Sequence, residues 1–301
     1  MSLCKWVYQT FVETISGNTR KRPPPNKIPN HTGLANLRDI QVGNQATLSL
    51  MSNPESNVQI VRKRYKSTSS GMAVSEANII WGLDHQNIIK LIGLQQGEEY
   101  VDLWLPVCDK DLYTDLEESI NDPYFFHPAS ISSRLQILIS LLDAVKYIHT
   151  EGVVHRDIKP ENVLLDGGRP LLIDFGFSEK LGKKMRVTGG LGSQLYAAPE
   201  ILSYANDPCS YDGRAADVYA MGATMWVVIF GQPPWTTDRT NQYRTKDFDS
   251  NVTNSLWDII GLIKLMTHVN PLVRPTAVES LNRLTACVKR YDLAGSAGDA
   301  V

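Results

Sequence analysis

The chain has 301 residues, 43% of them apolar, and a formal net charge of −2. Such a length can bury a sizeable core, as one large domain or as two lobes, and so near-neutral a balance excludes generic electrostatic binding to nucleic acid or to an anionic membrane. Cys4, Cys108, Cys209 and Cys287 are scattered without the close pairs of a zinc site or a disulfide framework, which fits a reducing compartment.

The opening MSLCKWVYQTFV lacks a sustained apolar stretch and a cleavage pattern, and the richest later run, ATMWVVIFG, is too short to span a bilayer. A soluble intracellular protein, cytoplasmic or nuclear, is expected. Residues 1–36 read as a basic, proline-rich arm: the prolines of TRKRPPPNKIPN block regular structure, and its cations suit a solvated linker or a localisation signal. From 37 to about 105, strand-like pieces IQVGNQATLSL, VQIVRKRY and YVDLWL surround one helical pattern, SEANIIWGL, and predict a small sheet-rich lobe. EESINDPYFFHPASISS reads as a surface loop on its prolines, serines and asparagine. From about 109 to 290 the apolar stripes of SRLQILISLLDAVKYIHTEG, DVYAMGATMWVVIFG, NSLWDIIGLIKLMTHV and AVESLNRLTACV predict a larger helical lobe, with Gly152 and Gly231 as helix stops. Residues 291–301 read as a flexible tail. The fold class is therefore α+β.

The chemistry concentrates in HRDIKPENVLLDGGRPLLIDFG, His155 to Gly176. Asp157, Lys159 and Asn162 sit in a polar loop between the apolar strands VV and NVLL, and Asp174 follows the short strand PLLI. Two paired strands would deliver both loops to one edge. A carboxylate, an ammonium and a metal-binding carboxylate and amide gathered there suit phosphoryl transfer, in which positioning and charge neutralisation supply most of the rate. Magnesium takes oxygen ligands and keeps several waters, so Asn162 and Asp174 are candidate ligands for Mg2+ together with nucleotide phosphates. Asp157 would orient or accept the proton of the acceptor hydroxyl, and Lys159 would meet the charge on the transferring group.

In that order and spacing, HRDIKPEN, DFG (Asp174 to Gly176) and APE (Ala198 to Glu200) resemble the signature set of eukaryotic-type protein kinases over roughly residues 37–290. The resemblance implies the two-lobed protein kinase fold, with DVYAMG from Asp217 as the buried helix that anchors the catalytic loop and Arg274 paired with Glu200. KPEN and GSQLYAAPE are similar to the serine/threonine class, with Ser193 placing a hydroxyl able to bridge Asp157 and Lys159. ATP is the implied phosphate donor, and proteins with serine or threonine hydroxyls the implied acceptors. Between DFG and APE, Thr188 stands near the place of the activating phosphothreonine of relatives, modified by an activating kinase or by autophosphorylation. Arg156, Lys183, Lys184 and Arg186 would pair with its phosphate; a threonine in a solvated loop is the bland alternative.

In the small lobe, Glu76 with LDHQNIIKL following it is similar to the family's regulatory helix and the strand behind it. Lys63 is the expected partner of Glu76, because Val61 then shares its strand face and packs on adenine while the ammonium reaches the α and β phosphates. GNQATLSL departs from the family's G-x-G-x-x-G-x-V pattern: Gly43 is kept, but Gln45 and Leu48 replace the next two glycines, which normally let backbone amides approach phosphate. Val42, Gly43 and Leu50 are the nucleotide contacts expected from this loop. LPVCDKDLY would join the lobes, with Leu105 guarding the back pocket, the Pro106 carbonyl and Cys108 amide meeting adenine and Leu164 below it; LP with DLYTDL resembles the hinge of herpesvirus serine/threonine kinases and of some cellular regulatory kinases.

Asp109, Asp111, Asp115, Glu117, Glu118 and Glu161 suggest substrates with basic residues before the acceptor, an exposed acidic helix face being the alternative. A scaffold or allosteric pseudokinase is the rival reading, raised by the altered glycine loop and opposed by the survival of Lys63, Glu76, Asp157, Asn162 and Asp174 together. A small-molecule phosphotransferase of related fold would lack the peptide-binding features around Ala198 to Glu200, Asp217 and Arg274. Neither nucleic acid nor membrane is an expected partner.

Overall fold

The computed structural model describes residues 34–55, 57–182, 186–190, 192–203, 210–234, 254 and 256–298, with the backbone alone for 292–298. The basic arm up to residue 33, with Cys4, and Lys183, Lys184 and Cys209 lie outside the described residues. The described residues divide into two compact units, one holding those up to Asp84 and Ile88–Cys108, the other His85–Asn87 and those from Asp109 onward.

The first unit is a five-stranded antiparallel sheet with one helix. Strands β1 (Ala35–Val42), β2 (Ala46–Asn53), β3 (Val58–Lys66), β4 (Gly93–Gln96) and β5 (Tyr100–Leu105) pair in the order β1-β2-β3-β5-β4. Alternation in VQIVRKRYK puts Val61, Lys63 and Tyr65 on one face of β3 and Arg62 and Arg64 on the other. The second face is closed by Met51, Ile60 and Trp104, by a bidentate Arg64–Asp102 pair at 2.7 Å, and by Arg64 lying 3.8 Å over the Tyr100 ring. Helix α1 (Ser70–Gly82) buries Ala73, Glu76, Ala77 and Ile80, the i, i+3, i+4, i+7 set of one helical face. β1 is an edge strand whose pairing is irregular between Asn36 and Arg38 and again between Asp39 and Gln41.

Three sequence expectations shift here. β1 begins at Ala35, inside the expected arm. α1 starts five residues before the SEANIIWGL pattern, at Ser70. LDHQNIIKL is not a strand: Ile88, Ile89 and Leu91 are buried in an irregular segment and the strand follows at Gly93. Burial of that apolar run is decided by packing rather than by a strand ladder.

The second unit is mainly helical. Helices α2 (Leu112–Ser119), α3 (Pro128–Thr150), α4 (Pro199–Leu202), α5 (Gly213–Phe230), α6 (Trp257–Met266) and α7 (Ala277–Gly298) accompany the short strands β6 (Lys110–Asp111), β7 (Val153–Val154), β8 (Val163–Asp166), β9 (Arg169–Leu172) and β10 (Glu179–Lys180). From Ala216 to Phe230 every residue of α5 is buried, so the apolar run ATMWVVIFG is the core helix of the unit. Its end is set by Gly231, in the left-handed region at φ 71°, whose N–H returns to the Val227 carbonyl at 2.7 Å. At the start of α7, Thr276 and Glu279 form a reciprocal cap: the Thr276 N–H donates to the Glu279 carboxylate at 2.8 Å and the Glu279 N–H to the Thr276 hydroxyl at 3.2 Å.

The expected surface loop 117–133 is shortened from both ends by α2 and α3. It is also anchored, since Phe125 is 3% exposed and the Arg134 guanidinium lies 3.8 Å over its ring while donating to its carbonyl. Burial lowers the Arg134 pKa to about 10. The expected flexible tail is likewise replaced by helix as far as Gly298. Among the described residues no helix is long and apolar enough to cross a membrane.

Arg274 forms a bidentate pair with Glu200 at 2.6 and 2.8 Å, donates also to the Ala215 and His268 carbonyls, and lies 4.9 Å over the Tyr219 ring. Its side chain is fully buried, so removing it leaves a carboxylate without its counter-charge. Arg274→Ala should lower stability by about 3–5 kcal/mol, read as a depressed midpoint in thermal unfolding followed by circular dichroism.

Candidate active site

The second unit builds its polar loops on a buried carboxylate. Asp217, 1% exposed on α5, accepts the backbone N–H of His155 and of Arg156, each at 2.8 Å, and meets His149 Nε2 at 2.9 Å. These bonds hold Arg156 in the left-handed region at φ 73°, a conformation that is costly for a side-chain-bearing residue unless its surroundings impose it. β7 enters this loop and pairs with β10, while β8 leaves it and pairs antiparallel with β9 in the register Val163↔Leu172. Residue 162 and residue 173 therefore meet at one end of the β8–β9 hairpin. The Ile173 N–H donates to the Asn162 carbonyl at 3.0 Å, and His155 Nε2 lies 2.9 Å from the Ile173 carbonyl. Asp174 follows directly, also left-handed at φ 61°.

Around that end Asp157, Lys159 and Asn162 are bonded to one another, and Asp174 follows Ile173 at the same end of the hairpin. The Asn162 side-chain amide donates to the Asp157 carbonyl at 2.7 Å and to its carboxylate at 2.9 Å. Lys159 Nζ pairs with the same carboxylate at 2.9 Å and donates to the Ser193 hydroxyl at 2.5 Å. Ser193 reaches Asp157 through its backbone N–H, at 2.9 Å, and not through the hydroxyl that the sequence suggests as the bridge. That approach depends on Gly192, at φ 120°, where a Cβ would stand 2.8 Å from the Arg156 carbonyl. Beside this loop, burial raises the Glu161 pKa, with Asp157 and Asp111 adding to it and Lys159 opposing.

The donor chemistry of this cluster suits a hard cation. With its amide nitrogen committed to Asp157, Asn162 keeps a side-chain oxygen for a ligand, and Asp174 follows the residue that is bonded to the Asn162 carbonyl. Among the described residues there is no group of three or more histidine, cysteine, aspartate or glutamate side chains able to cage a metal. One carboxylate and one amide oxygen leave most of a magnesium shell to phosphate and water.

In the first unit, Lys63 Nζ pairs with both oxygens of Glu76, at 2.9 and 3.0 Å, with both residues buried. The Tyr65 hydroxyl donates to the same carboxylate at 2.5 Å, and burial raises the Tyr65 pKa, as does the Glu76 charge. The register Leu48↔Lys63 and Leu50↔Val61 places both leucines of β2 on the Lys63 face. The glycine loop is a short turn, closed by the Gly43 N–H on the Ala46 carbonyl at 2.9 Å, and β2 has begun by Ala46. Leu48 thus stands within a strand opposite Lys63. Val42 ends β1 exposed, Leu105 ends β5 buried, Pro106 and Cys108 are half-buried in the segment after it, and Leu164 pairs with Leu171 on β8.

Comparison with known families matches residues 37–284 to the protein kinase domain. The chain belongs to the protein kinase family. Its relatives include calcium/calmodulin-dependent protein kinase type II alpha chain of Drosophila melanogaster, 34% identical over 224 residues, which are 70% of this chain and 40% of the relative. The probable serine/threonine-protein kinases samkB and fhkD of Dictyostelium discoideum are 31% identical over 215 residues and 30% identical over 222 residues. Those alignments take in 69% and 66% of this chain and 35% and 29% of the relatives. Its resemblances are to the eukaryotic serine/threonine type, and the chain spans well under half the length of these relatives.

The described residues of the segment between DFG and APE are held by several hydrogen bonds and an ion pair. Arg156 pairs with Glu179 at 2.9 Å and donates to the carbonyls of Thr188 and Gly189 at 2.6 and 3.1 Å. The Tyr211 hydroxyl donates to the Gly189 carbonyl at 3.1 Å, and Arg186 donates to the Ser210 hydroxyl and carbonyl. The Thr188 side chain itself is exposed, and the arginines expected to receive its phosphate already have partners. Glu179 and Tyr65 are not legible as site residues in the sequence. Their signals, an acid five residues beyond Asp174 and a hydroxyl two residues beyond Lys63, acquire meaning only once the strands are paired.

Gly192→Ala would force a Cβ against the Arg156 carbonyl in a left-handed backbone. The kinase should lose about 1–3 kcal/mol in chemical denaturation, together with the Ser193 N–H bond to Asp157.

Proposed function

We propose that the protein transfers the γ-phosphoryl group of magnesium ATP to serine or threonine hydroxyls of protein substrates. The observation that carries this reading is the convergence of Asp157, Lys159, Asn162 and Asp174 at one end of the β8–β9 hairpin, held by the Asn162 and Ile173 bonds. Asp157, fixed by Asn162 on one side and the Ser193 N–H on the other, orients the acceptor hydroxyl and takes its proton. Lys159, already bonded to a serine oxygen at Ser193, offers its ammonium to the transferring group. Asn162 and Asp174 hold magnesium, which when bound neutralises phosphate charge. Lys63, kept in place by Glu76, meets the α and β phosphates, and the segment from Leu105 to Cys108 with Val61 receives adenine. The assay is transfer of labelled phosphate to casein and basic peptides: Asp157→Ala should cut the rate by about 10²–10⁴-fold while leaving nucleotide binding in place.

Basic residues before the acceptor are the preference we assign to the substrate. Glu161 supports it, while the helix acids are partly self-compensated: Lys110 bridges Asp115 and Glu118 at 2.9 and 2.7 Å, and Asp111 caps α2. A peptide array should therefore show a basic preference that weakens on Glu161→Gln but not on Glu118→Gln; a flat array would dispose of it. As for activation, the Arg156–Glu179 pair supports an active arrangement without phosphate. Thr188→Ala should retain most of the transfer rate, whereas Glu179→Ala should lose about an order of magnitude, the scale of a charge-assisted bond.

A scaffold reading is favoured by one observation, Leu48 standing opposite Lys63 where a glycine would leave room for phosphate. Leu48→Gly should then tighten ATP binding measured by calorimetry. Binding without transfer in the parent chain would establish the scaffold, and transfer abolished by Asp157→Ala would exclude it.

A further inference from the structure

We infer that Tyr65 is a positioning residue whose hydroxyl holds the Glu76 carboxylate, and through it the Lys63 ammonium, in the arrangement that receives nucleotide phosphates. The inference rests on the phosphotransfer reading for its use of Lys63, but the tether itself is a property of the first unit alone.

Helix α1 buries two alanines, Glu76 and Ile80 on one face, with Met72, Val74, Ile79 and Trp81 half-buried beside them, and its N-terminus carries no side-chain capping bond. Alanine side chains contribute little apolar area, so the polar contacts of Glu76 add to the docking of that face. Glu76 is 1% exposed, and a carboxylate so placed needs full hydrogen bonding to stay charged. Lys63 contacts both of its oxygens at 2.9 and 3.0 Å, and Tyr65, on the same face of β3 and 2% exposed, adds a donor to Oε2 at 2.5 Å. The Lys63 ammonium also lies 5.2 Å from the Tyr65 ring, so the phenol faces both members of the pair.

The consequence is a division of labour. An ammonium that must also meet phosphate cannot give Glu76 all of its hydrogen bonds. The Tyr65 hydroxyl keeps one carboxylate oxygen satisfied whatever Lys63 is bonded to, and α1 stays docked through β3 at two positions, 63 and 65.

The test is a cycle on the full chain: parent, Tyr65→Phe, Glu76→Met and the double variant. Tyr65→Phe removes one oxygen and keeps the ring, and Glu76→Met removes both acceptor oxygens at similar length. Amide hydrogen exchange over Ser70–Gly82, without nucleotide, should accelerate about tenfold in Tyr65→Phe, and Tyr65→Phe should add nothing further when made in Glu76→Met. In the transfer assay the KM for ATP should rise about tenfold with the KM for peptide unchanged. Replacing Tyr65 by 3-fluorotyrosine, a stronger donor, should slow the exchange of α1, a shift that ring packing alone would not cause. Unchanged exchange in Tyr65→Phe, or an effect of equal size in the Glu76→Met background, overturns the tether. The exchange needs no ATP, so its result is independent of the transfer assay: a chain with the coupled exchange effect and no nucleotide binding would overturn the phosphotransfer role of the residue and the reading it rests on.

Discussion

The polar loop that begins at His155 hangs from the Asp217 carboxylate. A buried acid on the core helix is expensive unless its lone pairs are taken up, and here two successive backbone N–H groups and a histidine do so. Because the donors are backbone groups of His155 and Arg156, satisfying the acid also dictates where the next residues point. Asp157 then leaves a strained backbone in a fixed direction, and the strain is held by the core rather than by any ligand. The core helix is thus both the apolar centre of the unit and the frame of its chemistry.

A second layer of bonds spreads from that point. Asn162 joins the start of β8 to Asp157, the Ile173 N–H joins the end of β9 to Asn162, and Ser193 brings the segment before APE back onto the same carboxylate. The first of these contacts closes a single loop and the other two unite separate stretches of the chain, with backbone groups taking part in each. Geometry built that way tolerates little sliding, which is what in-line group transfer requires. In the first unit the equivalent economy is a single buried ion pair, Lys63 with Glu76, between neighbouring elements.

Much of this arrangement is legible in the order of the residues alone. Asp157, Lys159, Asn162 and Asp174 can be named from it because fixed spacing between short apolar strands brings their loops to one end of a hairpin, and Lys63 because among its basic neighbours it alone fits the pattern that the family resemblance implies, a small apolar residue two positions before the lysine. The pairing of Glu200 with Arg274 follows from the family resemblance. What stays hidden depends on tertiary choices. LDHQNIIKL is apolar enough for a strand yet is buried without one. Phe125 sits in a segment whose prolines and serines signal exposure, and it is drawn in by Arg134. The continuation of α7 to Gly298 runs through residues whose composition favours fraying. The Tyr65 and Glu179 contacts need partners from another element, and no local periodicity encodes such partners.

The irregular pairing of β1 bears on how the chain behaves in company. Leu37, Ile40 and Val42 are exposed on the outermost strand of the sheet, the kind of border that invites a neighbouring molecule to add a strand of its own. The two breaks in register at residues 36–38 and 39–41 throw that border out of the flat, evenly spaced array such an addition would need. A greasy rim is by this irregularity a poorer template for an incoming strand.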